Sequence, residues 1–310
     1  MRNGVQHAPR TGRSRSQAHS PRRLLISCAS LGLALLWATN TVAAERIVSL
    51  DSVITETLFA LDEGASLVAA DSSSQYLPHG QRLPNVGYKR SLSAEGILAL
   101  TPDLILATED AGPPEVLTQI ASTGVKLVTI PTAPSIDGLH TTLRAIAAAV
   151  GQADKGEAVL KAIDAELAQA RHQVASLQAQ PDFTPPRVFF LLTIGSGTDM
   201  SAGRDTAVDS LLQLAGAENV MHASLSGYQT ITAEAVVAAA PDVILVTQRN
   251  FDGLGGAAGV LQRAGLAATP AGQTGRIVVL DGLLLTGFGP RTGQAVEQLA
   301  QQLHVPSPTD

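Results

Sequence analysis

Residues 87–108 read GYKRSLSAEGILALTPDLILAT, and residues 227–247 read GYQTITAEAVVAAAPDVILVT. Both run Gly-Tyr, a short polar spacer, Ala-Glu, an apolar helical stretch, Pro-Asp and then a continuous apolar run. The Glu-to-Pro spacing is seven residues in each, and the Tyr-to-Glu spacing differs by one. Ser93 and Thr232 stand where a helix N-cap belongs. Glu95 and Glu234 then fall in the first turn, where a carboxylate meets the positive end of the helix dipole. Each Gly-Tyr pair is therefore expected in the loop before a helix. The run after Pro-Asp lacks polar alternation, as in a strand buried on both faces of a parallel sheet. Packing alone explains the recurrent apolar positions but not the recurrent Tyr and Glu. The repeat predicts two related α/β lobes.

The rest of the chain extends this pattern. Apolar runs at 46–50, 67–71, 104–108, 126–130, 188–192, 243–247 and 277–280 alternate with helical stretches. The expected fold is α/β: two Rossmann-like lobes, each a mainly parallel sheet with flanking helices. Between residues 154 and 179 there is no Pro and no Gly after Gly156, and Val159, Leu160, Ile163, Leu167, Val174 and Leu177 share one helical face. This longest helix, ended by the Pro-rich residues 181–186, is read as a connector. The expected organisation is an N-terminal lobe over 45–153, a connecting helix over 154–180 and a C-terminal lobe over 181–310. Ligands of open α/β sheets bind outside the carboxyl ends of the strands. The two Gly-Tyr loops are thus expected on opposite walls of a cleft between lobes.

Residues 1–44 read as a signal peptide. They hold six arginines and no acid, then an apolar run from Leu24 to Trp37, then Thr41-Val42-Ala43-Ala44. Basic, apolar and small segments in that order predict secretion to the periplasm, with cleavage after Ala44. Arg22-Arg23 is compatible with the twin-arginine as well as the general route. The sole Cys (Cys28) and sole Trp (Trp37) lie in this segment, so the remainder has neither disulfide nor thiol chemistry. Fifteen of the 21 Lys and Arg remain against all 27 Asp and Glu, a formal net charge of −12. That balance opposes nucleic acid or anionic lipid as partner.

No catalytic constellation is legible. There is no Gly-x-Ser-x-Gly elbow, no phosphate-binding loop, no dinucleotide fingerprint and no His-Glu-x-x-His. His79, His140, His172, His222 and His304 are scattered without metal-ligand spacing and read as surface or loop residues. What stands out is Tyr88, followed by Lys89 and Arg90. A neighbouring cation favours a phenolate, and phenolate is a hard oxygen donor for ferric iron. A half-buried loop tyrosine beside solvated charges explains the same spacing.

PNVGYKRSLSAEGILALTPDLILA, together with Ser201-Ala202-Gly203-Arg204-Asp205-Thr206 and LLLTGFGPRT (283–292), resembles the haem-binding subgroup of periplasmic substrate-binding proteins of ABC importers. The resemblance runs from about Arg46 to Leu303. It implies two α/β lobes joined by one long helix, ferric haem carried in the cleft, and no enzymatic activity. It implies Tyr88 as the iron ligand with Arg90 beside it, and Tyr228 and Arg249 reaching the pocket from the second lobe. Arg291 is explained equally well by packing at a helix start. Glu95 and Glu234 become docking points for the two permease subunits, with a monomeric carrier and an outer-membrane haem receptor as an indirect partner.

Three departures accompany the resemblance. No histidine stands in Leu192-Thr193-Ile194-Gly195, where some relatives carry a second ligand. Lys89 replaces an apolar residue, and VSLDSVITE (48–56) lacks the glycines usual after the first strand. A corrinoid or ferric siderophore is the alternative cargo, since the fold is shared, and a haem- or metal-dependent enzyme is the rival of another class.

Overall fold

The computed structural model describes residues 46–76, 83–194, 197–263 and 265–304. The expected signal peptide lies outside the described residues, as does His79. The first half is built from β1 (Ile47–Leu50), α1 (Ser52–Ala60), β2 (Leu67–Ala70), α2 (Ala94–Leu98), β3 (Leu104–Thr108), α3 (Pro114–Ser122), β4 (Lys126–Ile130) and α4 (Ile136–Ala149). Its sheet has the order β2-β1-β3-β4, and every pairing is parallel. Such a sheet must be covered on both faces, and β1 and β3 are buried along their whole length.

A 26-residue helix, α5 (Ala153–Gln178), follows. Its buried face presents Leu160, Ile163, Leu167, Ala170 and Val174. The first four join one core with Leu139 and Leu143 of α4 and with Phe190 and Val208 beyond it, so the connector is packed into the fold.

The second half contains β5 (Arg187–Ile194), β6 (Thr198–Ala202), α6 (Ala207–Leu214), β7 (Glu218–Asn219), β8 (Tyr228–Thr230), α7 (Ala233–Ala239), β9 (Val243–Thr247) and α8 (Gln248–Gly253). It continues with α9 (Ala257–Leu261), α10 (Pro270–Thr274), β10 (Ile277–Leu280), α11 (Gly282–Thr286) and α12 (Thr292–Leu303). Strands run in the order β10-β9-β5-β6-β8, with β7 also on β5. β10, β9 and β5 are parallel, whereas β6 is antiparallel to both β5 and β8. The chain is α/β with two sheets, as its sequence predicts, but the second sheet has an antiparallel margin that the apolar runs do not announce.

The repeat is kept down to single hydrogen bonds. Gly87 and Gly227 hold φ of +95° and +71°, the left-handed region that glycine adopts without steric cost. The Ser93 side chain accepts from Gly96 N, and the Thr232 side chain from Ala235 N, so both capping expectations are met. Thr101 and Ala240, each just before Pro-Asp, hold φ of +46° and +43°. Asp103 then accepts from the Arg46 backbone N–H at 2.9 Å, and Asp242 from that of Arg187 at 3.3 Å. Each arginine also donates to a carbonyl of the neighbouring helix–strand unit, Arg46 to Thr101 just past α2 and Arg187 to Ala239 at the end of α7. In both lobes one Arg–Asp pair ties the first strand to the helix–strand unit beside it.

Candidate functional site

A cavity of about 740 Å³ opens at the carboxyl ends of the two sheets. One wall is Ser72, Ser73, Gln75 and Tyr88; the other is Leu192, Thr247–Asp252 in part, and Asp281–Thr286 in part. Tyr88 and Arg249, two residues expected at a cleft, therefore face the same space from different lobes.

The loop that carries Tyr88 is pinned on both sides. Gly87 N donates to Asn85 Oδ1 at 2.8 Å, and the Gly87 carbonyl accepts from Ser72 N at 2.8 Å. The Tyr88 carbonyl accepts from Ser91 N, and the Lys89 carbonyl from Gly112 N, both at 2.8 Å. With its backbone fixed, Tyr88 still leaves 49% of its surface exposed. An exposed phenol on an immobilised backbone is suited to meeting an incoming ligand.

The two cations after it take different roles. Lys89 turns inward, donating to Asp51 Oδ2 and, at 2.8 Å, to Asp110 Oδ1. Burial works against its charge, but the two carboxylates prevail and push its pKa above the usual lysine value. Lys89 is therefore a buried structural cation rather than a solvated neighbour of the phenol. Arg90 stays outside, bound to Asp110 Oδ2 and within electrostatic reach of Tyr88.

On the opposite wall Arg249 follows β9 in the first turn of α8, whose N-cap Thr247 accepts from Asn250 N at 3.2 Å. The same wall bears two acids, Asp252 and Asp281. Arg249 is thus the cation there among the lining residues.

Tyr228 is placed differently from the loop position its Gly-Tyr pair predicts. It opens β8 and stands opposite Ala202, two rows away from the Leu192–Met200–Thr230 row, and it is not among the residues lining the cavity. Burial pushes its phenol pKa up, although 36% of the residue as a whole is exposed. In this arrangement Tyr228 is a neutral phenol, a hydrogen-bond donor rather than a ready phenolate.

Glu95 and Glu234 are both exposed in first turns. Hydrogen bonds from its own backbone N–H and from the Thr232 hydroxyl hold the Glu234 carboxyl below the usual range. Arg291, which has two readings in the sequence, bonds to Glu56 of α1 and to Asp281, so it belongs to the contact between lobes. Three histidines have structural partners: Asp164 for His140, Asp209 for His222 and the Ala215 carbonyl for His304. Among the described residues, no three His, Cys, Asp or Glu side chains cluster to hold a metal ion.

The periplasmic binding protein family matches residues 47–283. The chain belongs to this family. Among solved structures, this periplasmic binding protein is similar to the apo form of the periplasmic heme-binding protein RhuT from Roseiflexus sp. RS-1. The two share 43% identity with a TM-score of 0.79, over 84% of this chain and 98% of the other. It is also similar to the periplasmic heme-binding protein BhuT in complex with two hemes, at 38% identity and a TM-score of 0.76, over 84% and 97%. A vitamin B12-binding protein from Pectobacterium atrosepticum is 26% identical over 89% of this chain and 94% of its own length.

Proposed function

We propose that this binding protein captures ferric haem in the cleft between its lobes, with Tyr88 as the iron ligand, and delivers it to an inner-membrane ABC importer. The observation that carries the reading is Tyr88 itself: a half-exposed phenol on a pinned loop at the cavity wall, with Arg90 beside it. Phenolate is an established axial ligand of ferric haem. Arg249 across the cavity supplies a cation for a propionate, while Leu192 and Leu283 offer apolar contact to the ring. The 43% and 38% identities to RhuT and BhuT support haem over other cargo, since they lie well above the 26% of the vitamin B12-binding relative.

The same reading makes the protein a stoichiometric carrier rather than an enzyme, exported to the periplasm by the signal in residues 1–44 and working as a monomer. Haem reaches it downstream of an outer-membrane receptor system, and Glu95 and Glu234 meet the permease subunits. Among the described residues no helix is long and apolar enough to cross a membrane.

The second reading, a corrinoid carrier, is favoured by the vitamin B12-binding and cobalamin-binding relatives. Parallel titrations of the apoprotein with hemin and with cyanocobalamin separate the two. Saturable hemin binding with a high-spin ferric spectrum, and no spectral or calorimetric response to cyanocobalamin, is expected. The reverse pattern overturns the haem reading.

A further inference from the structure

Helix α1 touches both walls of the cavity through charged side chains. At its start Asp51 caps the helix, Oδ1 accepting from Val53 N at 2.8 Å, while Oδ2 takes the ammonium of Lys89, the residue after Tyr88. One turn further on, Glu56 is 9% exposed and bonds to Arg291 from the loop that precedes α12 in the other lobe. Arg291 reaches on to Asp281 Oδ1 at 3.5 Å. Asp281 caps α11, accepting from Leu284 N at 3.0 Å, and lines the far cavity wall with Gly282 and Leu283. An unbroken path of ion pairs therefore runs from the Tyr88 loop, through α1, to the wall opposite.

The loop bearing Arg291 is pressed onto α1 as well as bonded to it. A Cβ at Gly289 would stand 3.0 Å from Val53 Cγ2 and 3.6 Å from Glu56 Oε2, so only glycine allows this approach without displacement. Phe288, just before it, is buried and holds a φ of +48°. A non-glycine residue persists in that region only where its surroundings over-determine it.

The energetics favour placement over stability. Glu56 has left water, and burial pushes its carboxyl above the usual range against the pull of Arg291. The Arg291 Nε is buried without a hydrogen-bond acceptor among the described residues. Such a pair adds little net stability over apolar residues of the same volume, and its best-attested use is to select one arrangement among several.

We propose that Glu56 and Arg291 are positioning residues that act through α1 as a strut between the cavity walls, fixing the gap across which Tyr88 faces α11 and thereby slowing release of the ligand. The release part rests on the haem reading; the strut itself does not.

The test uses the full chain with Cys28→Ser, so that cysteines introduced at the exposed Ala99, at the end of α2, and Ala238, in α7, are the only ones. Spin labels at these sites report the separation of the lobes by pulsed dipolar spectroscopy. Glu56→Gln with Arg291→Met removes both charges together and strands neither in the interior. The apo double variant is expected to show a longer and broader distance distribution. Its hemin complex is expected to keep the parent tyrosinate band but to lose hemin to excess apomyoglobin roughly tenfold faster. Should the double variant not fold, Arg291→Lys keeps the charge without the forked reach, and a smaller shift in the same direction is expected. An unchanged distance distribution overturns the proposal, whatever the release rate does. A changed distribution in a protein that binds no hemin supports the strut and overturns the haem reading instead.

Discussion

Arg90 and Asp110 meet through a single carboxylate oxygen: Asp110 Oδ2 accepts from Arg90 Nε at 3.1 Å and from Nη2 at 2.6 Å. The other oxygen accepts from Lys89 Nζ at 2.8 Å and from Thr108 Oγ1 at 2.7 Å. One carboxylate thus holds both cations that follow Tyr88, one turned inward and one outward.

This arrangement has a pH signature. Burial opposes the Asp110 charge, but hydrogen bonds from Lys89, Arg90 and Thr108 outweigh it and hold the carboxyl well below its ordinary 3.8. A carboxyl more acidic when folded contributes stability that is complete above 3.8 and is lost as pH falls toward the depressed value. Glu56 and Asp71 act in the opposite sense, because burial raises both, so their contribution declines as pH rises through 4.5 and 3.8. Asp110→Asn should therefore flatten the acid limb of a melting-temperature profile below 3.8, by a modest amount because the Asp110 side chain is 39% exposed and screened. A variant with the same acid limb as the parent contradicts this reading.

Arg249 stands on a wall with Asp252 and Asp281, so its charge decides whether that wall attracts an anionic ligand. Arg249→Ala should weaken hemin binding by about tenfold to a hundredfold, the range of one charge-assisted hydrogen bond. Equilibrium titrations of hemin and of its propionate dimethyl ester provide the control: the ester should be insensitive to the substitution. Equal losses for both would remove Arg249 from propionate recognition.

Ile194 ends β5 with 48% of its surface exposed, in the stretch where the family resemblance would put a second iron ligand. The parent protein should take up one five-coordinate haem per chain, although BhuT is described with two. Ile194→His should convert part of the spectrum to a six-coordinate form or admit a second haem. A parent titration that breaks at two hemes, the second of them low-spin, contradicts the single-site account.

Glu95 and Glu234 occupy equivalent first turns and are both exposed, one on each lobe. Under the proposed function, these exposed carboxylates would complement basic residues of two permease subunits. Glu95→Lys with Glu234→Lys should leave the hemin titration intact and abolish haem-dependent stimulation of the transporter ATPase in proteoliposomes. Full stimulation by the double variant would return both residues to helix capping alone.

Much of this was legible in the sequence because it is local. The caps at Ser93 and Thr232, the strands after Pro102 and Pro241 and the long apolar face of α5 follow from spacing within a few turns. β6 and β8 read TDMSA and YQT, carry no apolar run and depend on their antiparallel partners, so periodicity misses them. The roles of Arg46 and Arg187 are not legible in the sequence because their partners lie more than fifty positions away. Lys89 and Arg90 are neighbours in the chain, yet only the folded positions of Asp51 and Asp110 decide which of them is buried. The Glu56–Arg291 pair spans 235 positions, and nothing near either residue announces the other.

Tyr88 is the proposed ligand of ferric iron, and resonance Raman of the hemin complex tests that most directly. Excitation into the charge-transfer band of the parent protein should enhance iron–phenolate modes alongside high-spin, five-coordinate haem markers. Tyr88→Phe should lose those modes and bind hemin at least tenfold more weakly, as removal of an axial ligand requires. Phenolate modes that persist undiminished in Tyr88→Phe would contradict the account and move the iron to another ligand.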